Sequence, residues 1–193
     1  MQRRHFLQLL VSTAIASHLT GATASESALP AAGEPSQSPL PWRNWSGSQT
    51  CLPENRIAPA NIDELRHLLQ NSDHAGTTIR PVGSGHSFSA LVPTDGILVS
   101  LARMTGVLSH DDQQCQARIA AGTLLGQVGR PLDAINQALF NMPDIDQQAL
   151  GGLLATATHG TGAGLMSLSG YVEALTLMTA GGELLECSRH RHP

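Results

Sequence analysis

"RPVGSGHSFSALVPTDGILVSL", residues 80–101, sets two glycines around a serine, then a histidine and Ser-Phe-Ser, between two apolar runs. A strand that stops at Gly83-Ser84-Gly85 exposes consecutive backbone N–H groups with no side chains in the way. Such a nest suits phosphate oxygens, and Ser84, Ser87 and Ser89 add hydroxyl donors. Taken alone, a G-x-G is more often only a tight turn. No third glycine opens a helix at G-x-x-G spacing, so the stretch is not a dinucleotide fingerprint.

A second segment departs from ordinary patterning. "GGLLATATHGTGAGLMSLSG", residues 151–170, holds six glycines, a run of small residues and one histidine. Small side chains let the backbone approach a bulky planar ligand closely, while threonine hydroxyls and free N–H groups supply polar contacts. The plainer alternative is a flexible linker, which does not account for the leucines, threonines and lone histidine. Asp144 and Asp146 in the preceding "PDID" order the turn entering this segment better than they serve as a carboxylate pair.

The amino terminus, "MQRRHFLQLLVSTAIASHLTGATASES", carries Arg3 and Arg4 ahead of an apolar stretch too short to span a bilayer comfortably. It resembles a twin-arginine (Tat) signal, with Gln8 where lysine is usual and cleavage expected after Ala24. An ordinary Sec signal with two arginines is the alternative. Residues 1–24 are thus read as the signal, and export to the periplasm or beyond is the expectation, with the membrane met only in transit. Residues 25–44 form a proline-rich polar linker, and the composition shifts near Trp42. Residues 45–193 are read as one domain, long enough for a sizeable core.

The formal charge is -4, and losing the two signal arginines takes the mature form to about -6. No basic stripe exists, so a nucleic-acid role has no support. All 11 basic residues are arginine, which excludes a Walker-type loop and a Schiff-base lysine within this sequence. Aromatic residues are 3% of the chain, too few for base-stacking platforms. Cys51, Cys115 and Cys187 leave one disulfide and one free thiol open, with no CxxC to suggest a metal. His190-Arg191-His192 reads as a solvated tail.

Hydrophobic spacing places a helix on "NIDELRHLLQNS", opened by Asn61 with Glu64 three residues on. "TTIRPVGSG" reads as a short strand and "GILVSL" as a strand buried on both faces. "MTGVLSH" and "CQARIAAG" read as strands joined by "DDQQ". "TLLGQVGRPLDAINQAL" has helical spacing that Gly129 and Pro131 must kink or break. "YVEALTLMTAGGELLEC" reads as a hairpin. The elements interleave without a strict βαβ period, so the fold class is α+β.

Together, "RPVGSGHSFS", "MPDIDQQALGGLLATATHGTG" and "SLSGYVEALTLMTAGGELLECS" resemble the FAD domain of the vanillyl-alcohol-oxidase (PCMH-type) superfamily, in its aldonolactone and alditol oxidase branch. "NWSGSQTCLPENRIAPANIDELRHLL" is similar to that branch's opening strand and first helix. The resemblance implies two α+β subdomains and FAD as cofactor. It implies that Pro81, Val82, Gly83, Ser84, Gly85, His86, Ser87, Phe88 and Ser89 surround the FAD pyrophosphate. By the same resemblance, Thr156, Thr158, His159, Gly160 and Thr161 lie against the flavin and Ser169 and Val172 near the adenine dinucleotide. For His159, packing on the flavin and simple loop structure stay open.

His86 stands where many members bond covalently to the flavin 8α-methyl carbon, a role for a nucleophilic nitrogen that imidazole fills and an amide cannot. A hydrogen bond to non-covalent flavin is the alternative. The implied reaction oxidises a CH–OH group of a sugar lactone or polyol, with oxygen or a cytochrome as acceptor. The family's cap half is not in the sequence, so no catalytic base can be named. Three outcomes therefore stand: an oxidoreductase, a flavin-binding subunit completed by a second chain or copy, or an inactive remnant. Replacing Arg3 and Arg4 by lysine should strand the precursor in the cytoplasm, because a guanidinium pair and two ammoniums differ as donors. Fractionation after expression checks this, and undiminished export would point to the Sec route.

Overall fold

A computed structural model describes residues 40–189 of the protein. The signal reading of residues 1–24, linker residues 25–39 and the histidine tail lie outside the described residues. The first described element is a short hairpin, β1 (Trp42–Arg43) against β2 (Thr50–Cys51). It starts where the composition shifts, ahead of residue 45, because the Trp42 ring and the Asn44 side chain are both buried.

Next come β3 (Asn55–Ile57), α1 (Ile62–Ala75), β4 (Ile79–Val82) and β5 (Ile97–Ser100). The three strands form a parallel sheet in the order β3-β5-β4. Central β5 buries both Leu98 and Val99. Successive strand residues face opposite sides, so both faces are covered, as its unbroken apolar run requires. Helix α1 starts where its cap places it. The Asn61 Oδ1 accepts the Glu64 N–H at 2.8 Å, and the Glu64 carboxylate accepts the Ala60 N–H at 2.7 Å. Gly76, at φ +67°, ends it in the left-handed conformation that glycine takes most readily.

The remainder is antiparallel ribbons and short helices. β6 (Val107–Asp111) pairs with β7 (Gln116–Ile119), and Asp111 Oδ1 accepts the Gln113 and Gln114 N–H groups across the turn. The periodic segment that follows is broken as Gly129 and Pro131 demand. It forms a 3-10 turn at Leu125–Gln127 and α2 (Gly129–Asp133). Its apolar face still buries Leu125, Val128 and Leu132. β8 (Ala174–Met178) and β9 (Leu184–Ser188) close a hairpin, whose turn accepts hydrogen bonds from Arg66 and Gln70 of α1.

One element departs from expectation. Residues 151–155, read as glycine-rich loop, belong to α3 (Leu150–Ala155). Leu150 and Gly151 donate N–H bonds to Thr123 O and Ala121 O, at 2.9 and 2.8 Å, which anchors a helix that two adjacent glycines disfavour locally. Leu153 of α3 joins Leu125 and Leu168 in a buried cluster, with Leu139, Leu150 and Leu154 packed against it. The described residues all fall within one compact unit. No helix among the described residues is long and apolar enough to cross a membrane. Since Leu125 is 1% exposed, Leu125→Ala should cost about 2–5 kcal/mol in urea unfolding, as emptied core sites do.

Candidate functional site

Both small-residue segments are positioned by the core. Pro81 and Val82 end β4, and the chain leaves the sheet at Gly83. The β1–β2 hairpin then grips the loop by its carbonyl oxygens. The Trp45 N–H donates to Gly85 O at 2.8 Å, Asn44 Nδ2 to Ser87 O at 3.0 Å, and Gln49 Nε2 to Phe88 O at 3.3 Å. The N–H groups from Ser84 to Phe88 meet no acceptor among the described residues. The loop therefore faces inward with acceptors and keeps its donors for something else. Gly85 is at φ +69°, and a Cβ there would lie 3.3 Å from the ring of Trp42.

His86 is half-buried, and its ring stacks on Trp45 with centroids 5.6 Å apart and planes 27° from parallel. Ser87 Oγ accepts the Ser89 N–H at 3.2 Å, while Phe88 is 66% exposed. Neither side chain is drawn into the core. What the loop offers is a run of unpaired amide donors, one imidazole and the Ser84 hydroxyl. That donor set fits an anionic phosphate bridge.

The loop meets the second segment through α3. A Cβ at Gly83 would lie 3.2 Å from the Cβ of Ala149, the residue that caps α3. The six residues of α3 span about 9 Å and deliver the chain to Thr156. Thr156 Oγ1 donates back to Gly152 O at 3.0 Å, so this hydroxyl proton serves the helix end. Ala157 adopts φ +52°, rare outside glycine. Thr158 is tied on both sides, its N–H to Leu153 O at 3.1 Å and its O to the Leu168 N–H at 2.9 Å. His159 is exposed, and its Nδ1–H donates to Gly160 O at 2.8 Å. Gly160 lies so close to the 141–142 backbone that a Cβ would meet Met142 O at 2.5 Å.

Thr161 is exposed in the same excursion, whereas Ser169 and Val172 lie beyond its closure. Ser169 belongs to the 3-10 turn Leu168–Tyr171, where its hydroxyl pairs with Ser167 at 2.9 Å, and Val172 caps that turn. No hydrogen bond or ring contact among the described residues joins them to the 83–89 loop. At the entry turn the Asp146 backbone carbonyl accepts the Gly126 N–H at 2.8 Å, and the Asp146 Oδ1 accepts Gln147 Nε2–H at 2.7 Å.

Four participants escaped the sequence reading. Asn44, Trp45 and Gln49 grip the loop from about 40 residues away, and Asn44 falls in the stretch read as linker. Their only sequence signal is the "NWSGSQTC" resemblance. The fourth, Gln148, precedes Ala149 and carries a buried Oε1 with no hydrogen-bond partner. Such an acceptor needs a donor, which a bound ligand can supply. A cavity of about 390 Å³ lined by His110, Asp112, Cys115 and residues 134–137 shares no residue with either loop. All three cysteines are free thiols. No group of three metal-ligating side chains gathers among the described residues.

This geometry has known counterparts. Residues 53–188 match the family described as "FAD binding domain". The L-gulono-1,4-lactone dehydrogenase of Mycobacterium tuberculosis is 37% identical over 147 residues, covering 76% of this chain and 34% of that protein. The L-gulonolactone oxidase of Scyliorhinus torazame is 36% identical, covering 76% and 33%. The D-arabinono-1,4-lactone oxidase of Eremothecium gossypii is 36% identical, covering 79% and 29%. The chain thus spans about a third of the length of these curated relatives. A solved alkyldihydroxyacetonephosphate synthase shares the fold at TM-score 0.63 and 22% identity, over 68% of this chain and 26% of that one. With its clamped, donor-rich loop and the family match over most of its length, the chain belongs to the FAD binding domain family in its PCMH-type form.

Proposed function

We propose that this chain is the FAD-holding part of an exported oxidoreductase of the sugar-1,4-lactone oxidase type. The observation that carries the reading is the 83–89 loop, whose carbonyls at Gly85, Ser87 and Phe88 are held by the β1–β2 hairpin while its N–H groups from Ser84 to Phe88 stay unpaired. Gly83 to Ser89, with Pro81 and Val82 behind them, would hold the pyrophosphate. Thr156 to Thr161 would lie along the flavin, and Ser169 and Val172 nearer the adenine. Bound FAD supplies a two-electron acceptor for the CH–OH carbon of a sugar lactone or alditol, with dioxygen or a cytochrome taking the electrons onward.

His86 is the proposed attachment point. Attachment exchanges an imidazole N–H and one C–H of the flavin 8α-methyl for a C–N bond, and two electrons and two protons pass to dioxygen, giving hydrogen peroxide. His159 is less suited, since Gly160 O engages its Nδ1–H. The amino-terminal 24 residues would carry the folded protein out by the Tat route.

A second reading has its own support. β8 and β9 leave Leu175, Leu177, Leu184 and Leu185 exposed, at 41–48%. Phe140, Leu165 and Met166 are also exposed, and Phe140 stacks on Tyr171 beside the flavin segment. In this reading further protein covers these surfaces and shapes the substrate pocket, and the chain acts as a flavin-binding subunit. Reconstitution of the full chain with excess FAD, followed by acid precipitation, tests both readings. Wild type should stay yellow in the pellet, while His86→Ala should bind FAD and release it into acid. Colourless protein after reconstitution would overturn the FAD reading, and acid-released wild-type flavin would overturn the attachment alone.

A further inference from the structure

We propose that Trp45 is a positioning residue that holds the His86 imidazole in the orientation needed for attachment to the flavin, an inference that rests on the covalent reading above. Trp45 is joined to the loop through both its backbone and its ring. The Trp45 backbone N–H donates to Gly85 O at 2.8 Å, one residue before His86, and the Trp45 ring stacks on His86 at 5.6 Å between centroids. The ring of Trp42, 7% exposed, lies under Gly85. The chain has two tryptophans, one tyrosine and three phenylalanines, so both indoles serve this one loop.

The stack matters because of what His86 lacks. Among the described residues, neither ring nitrogen of His86 makes a hydrogen bond, so no polar contact fixes the ring plane. His159 shows the contrast, with Nδ1 held by a carbonyl. A nucleophilic imidazole benefits from unengaged nitrogens, but an unheld ring samples several rotamers and presents its nitrogen only part of the time. A stacked indole fixes the plane and leaves both nitrogens unengaged. Trp45 is also 69% exposed, so its ring is not core packing. It lies outside the family-matched residues 53–188, as do the other clamp residues, Asn44 and Gln49.

The test follows acid-stable flavin over time after FAD is added to the full chain in aerated buffer, dioxygen taking the two electrons released. Trp45→Ala should slow attachment roughly three- to tenfold, the range that one aromatic stack accounts for, and Trp45→Phe should restore most of the rate. FAD affinity, measured in a His86→Ala background with and without Trp45→Ala, should change less than about twofold, since the stack accounts for little of the binding. Attachment by Trp45→Ala at the wild-type rate would overturn the proposal. So would an affinity loss matching the rate loss, which would mark Trp45 as a fold residue only. Proton NMR of the apoprotein separates the stack from the flavin chemistry. The His86 ring protons should show upfield ring-current shifts that vanish in Trp45→Ala. If those shifts are absent from wild type, the proposal fails whatever the flavin does. If they are present but wild-type flavin is acid-released, the covalent reading fails and the positioning role falls with it.

Discussion

The side chain of Asn44, 3% exposed, joins two stretches of chain 43 residues apart. Its Nδ2 donates to Ser48 Oγ and Ser87 O, and its Oδ1 accepts the Gln49 N–H at 3.0 Å. A buried amide left unpaired costs about 1–3 kcal/mol, so each of these bonds keeps the others in place. With Trp45 and Gln49 alongside, the hairpin takes up carbonyls at Gly85, Ser87 and Phe88. Backbone groups come in donor–acceptor pairs, so occupying one side of a loop leaves the other side's polarity facing out. If the loop holds the pyrophosphate as proposed, its affinity is set from behind by groups that need not touch the anion.

Local signals were legible in the sequence and distant ones were not. Helix α1 could be read because Asn61 and Glu64 sit in one turn and its apolar residues recur at helical spacing. β5 could be read because a strand covered on both faces must be apolar throughout. The glycine of the opening motif did mark a left-handed turn, at Gly85. Helix α3 was hidden because Gly151 and Gly152 argue against a helix, and the bonds that hold its first turn come from Ala121 and Thr123. The role of Asn44 was hidden for the same kind of reason. Its partner at Ser87 is far away in sequence, and its neighbours are polar enough to look like linker.

In the proposed site, the position of α3 is what lets two glycine-rich segments, some 70 residues apart, serve one elongated ligand. Ala149, at the start of the helix, lies where a side chain at Gly83 would meet it, and the second segment leaves from the helix end. The helix is a short spacer whose Leu153 is fixed in the core against Leu125 and Leu168. A rigid spacer suits a cofactor with a pyrophosphate bridge and a ring system at a set distance, because the spacing need not be assembled when the ligand arrives. The same core makes the spacing sensitive to packing defects far from any ligand contact.

The parallel pairing of β3 with β5 also bears on how the chain folds. Asn55 and Ile97 are partners 42 residues apart, and closing a loop of that size costs about 3 kcal/mol of chain entropy before any contact repays it. The grip of Asn44 on Ser87 spans 43 residues and encloses β3 and β4, which both pair with β5 outside that span, so the sheet's closure brings its two ends together. The hairpin can seat cheaply only once the strands have paired, which makes the amide array one of the last features to form. Cofactor capture then stabilises only chains that have completed the slow, non-local part of folding. In this way the flavin acts as a thermodynamic latch on the finished topology.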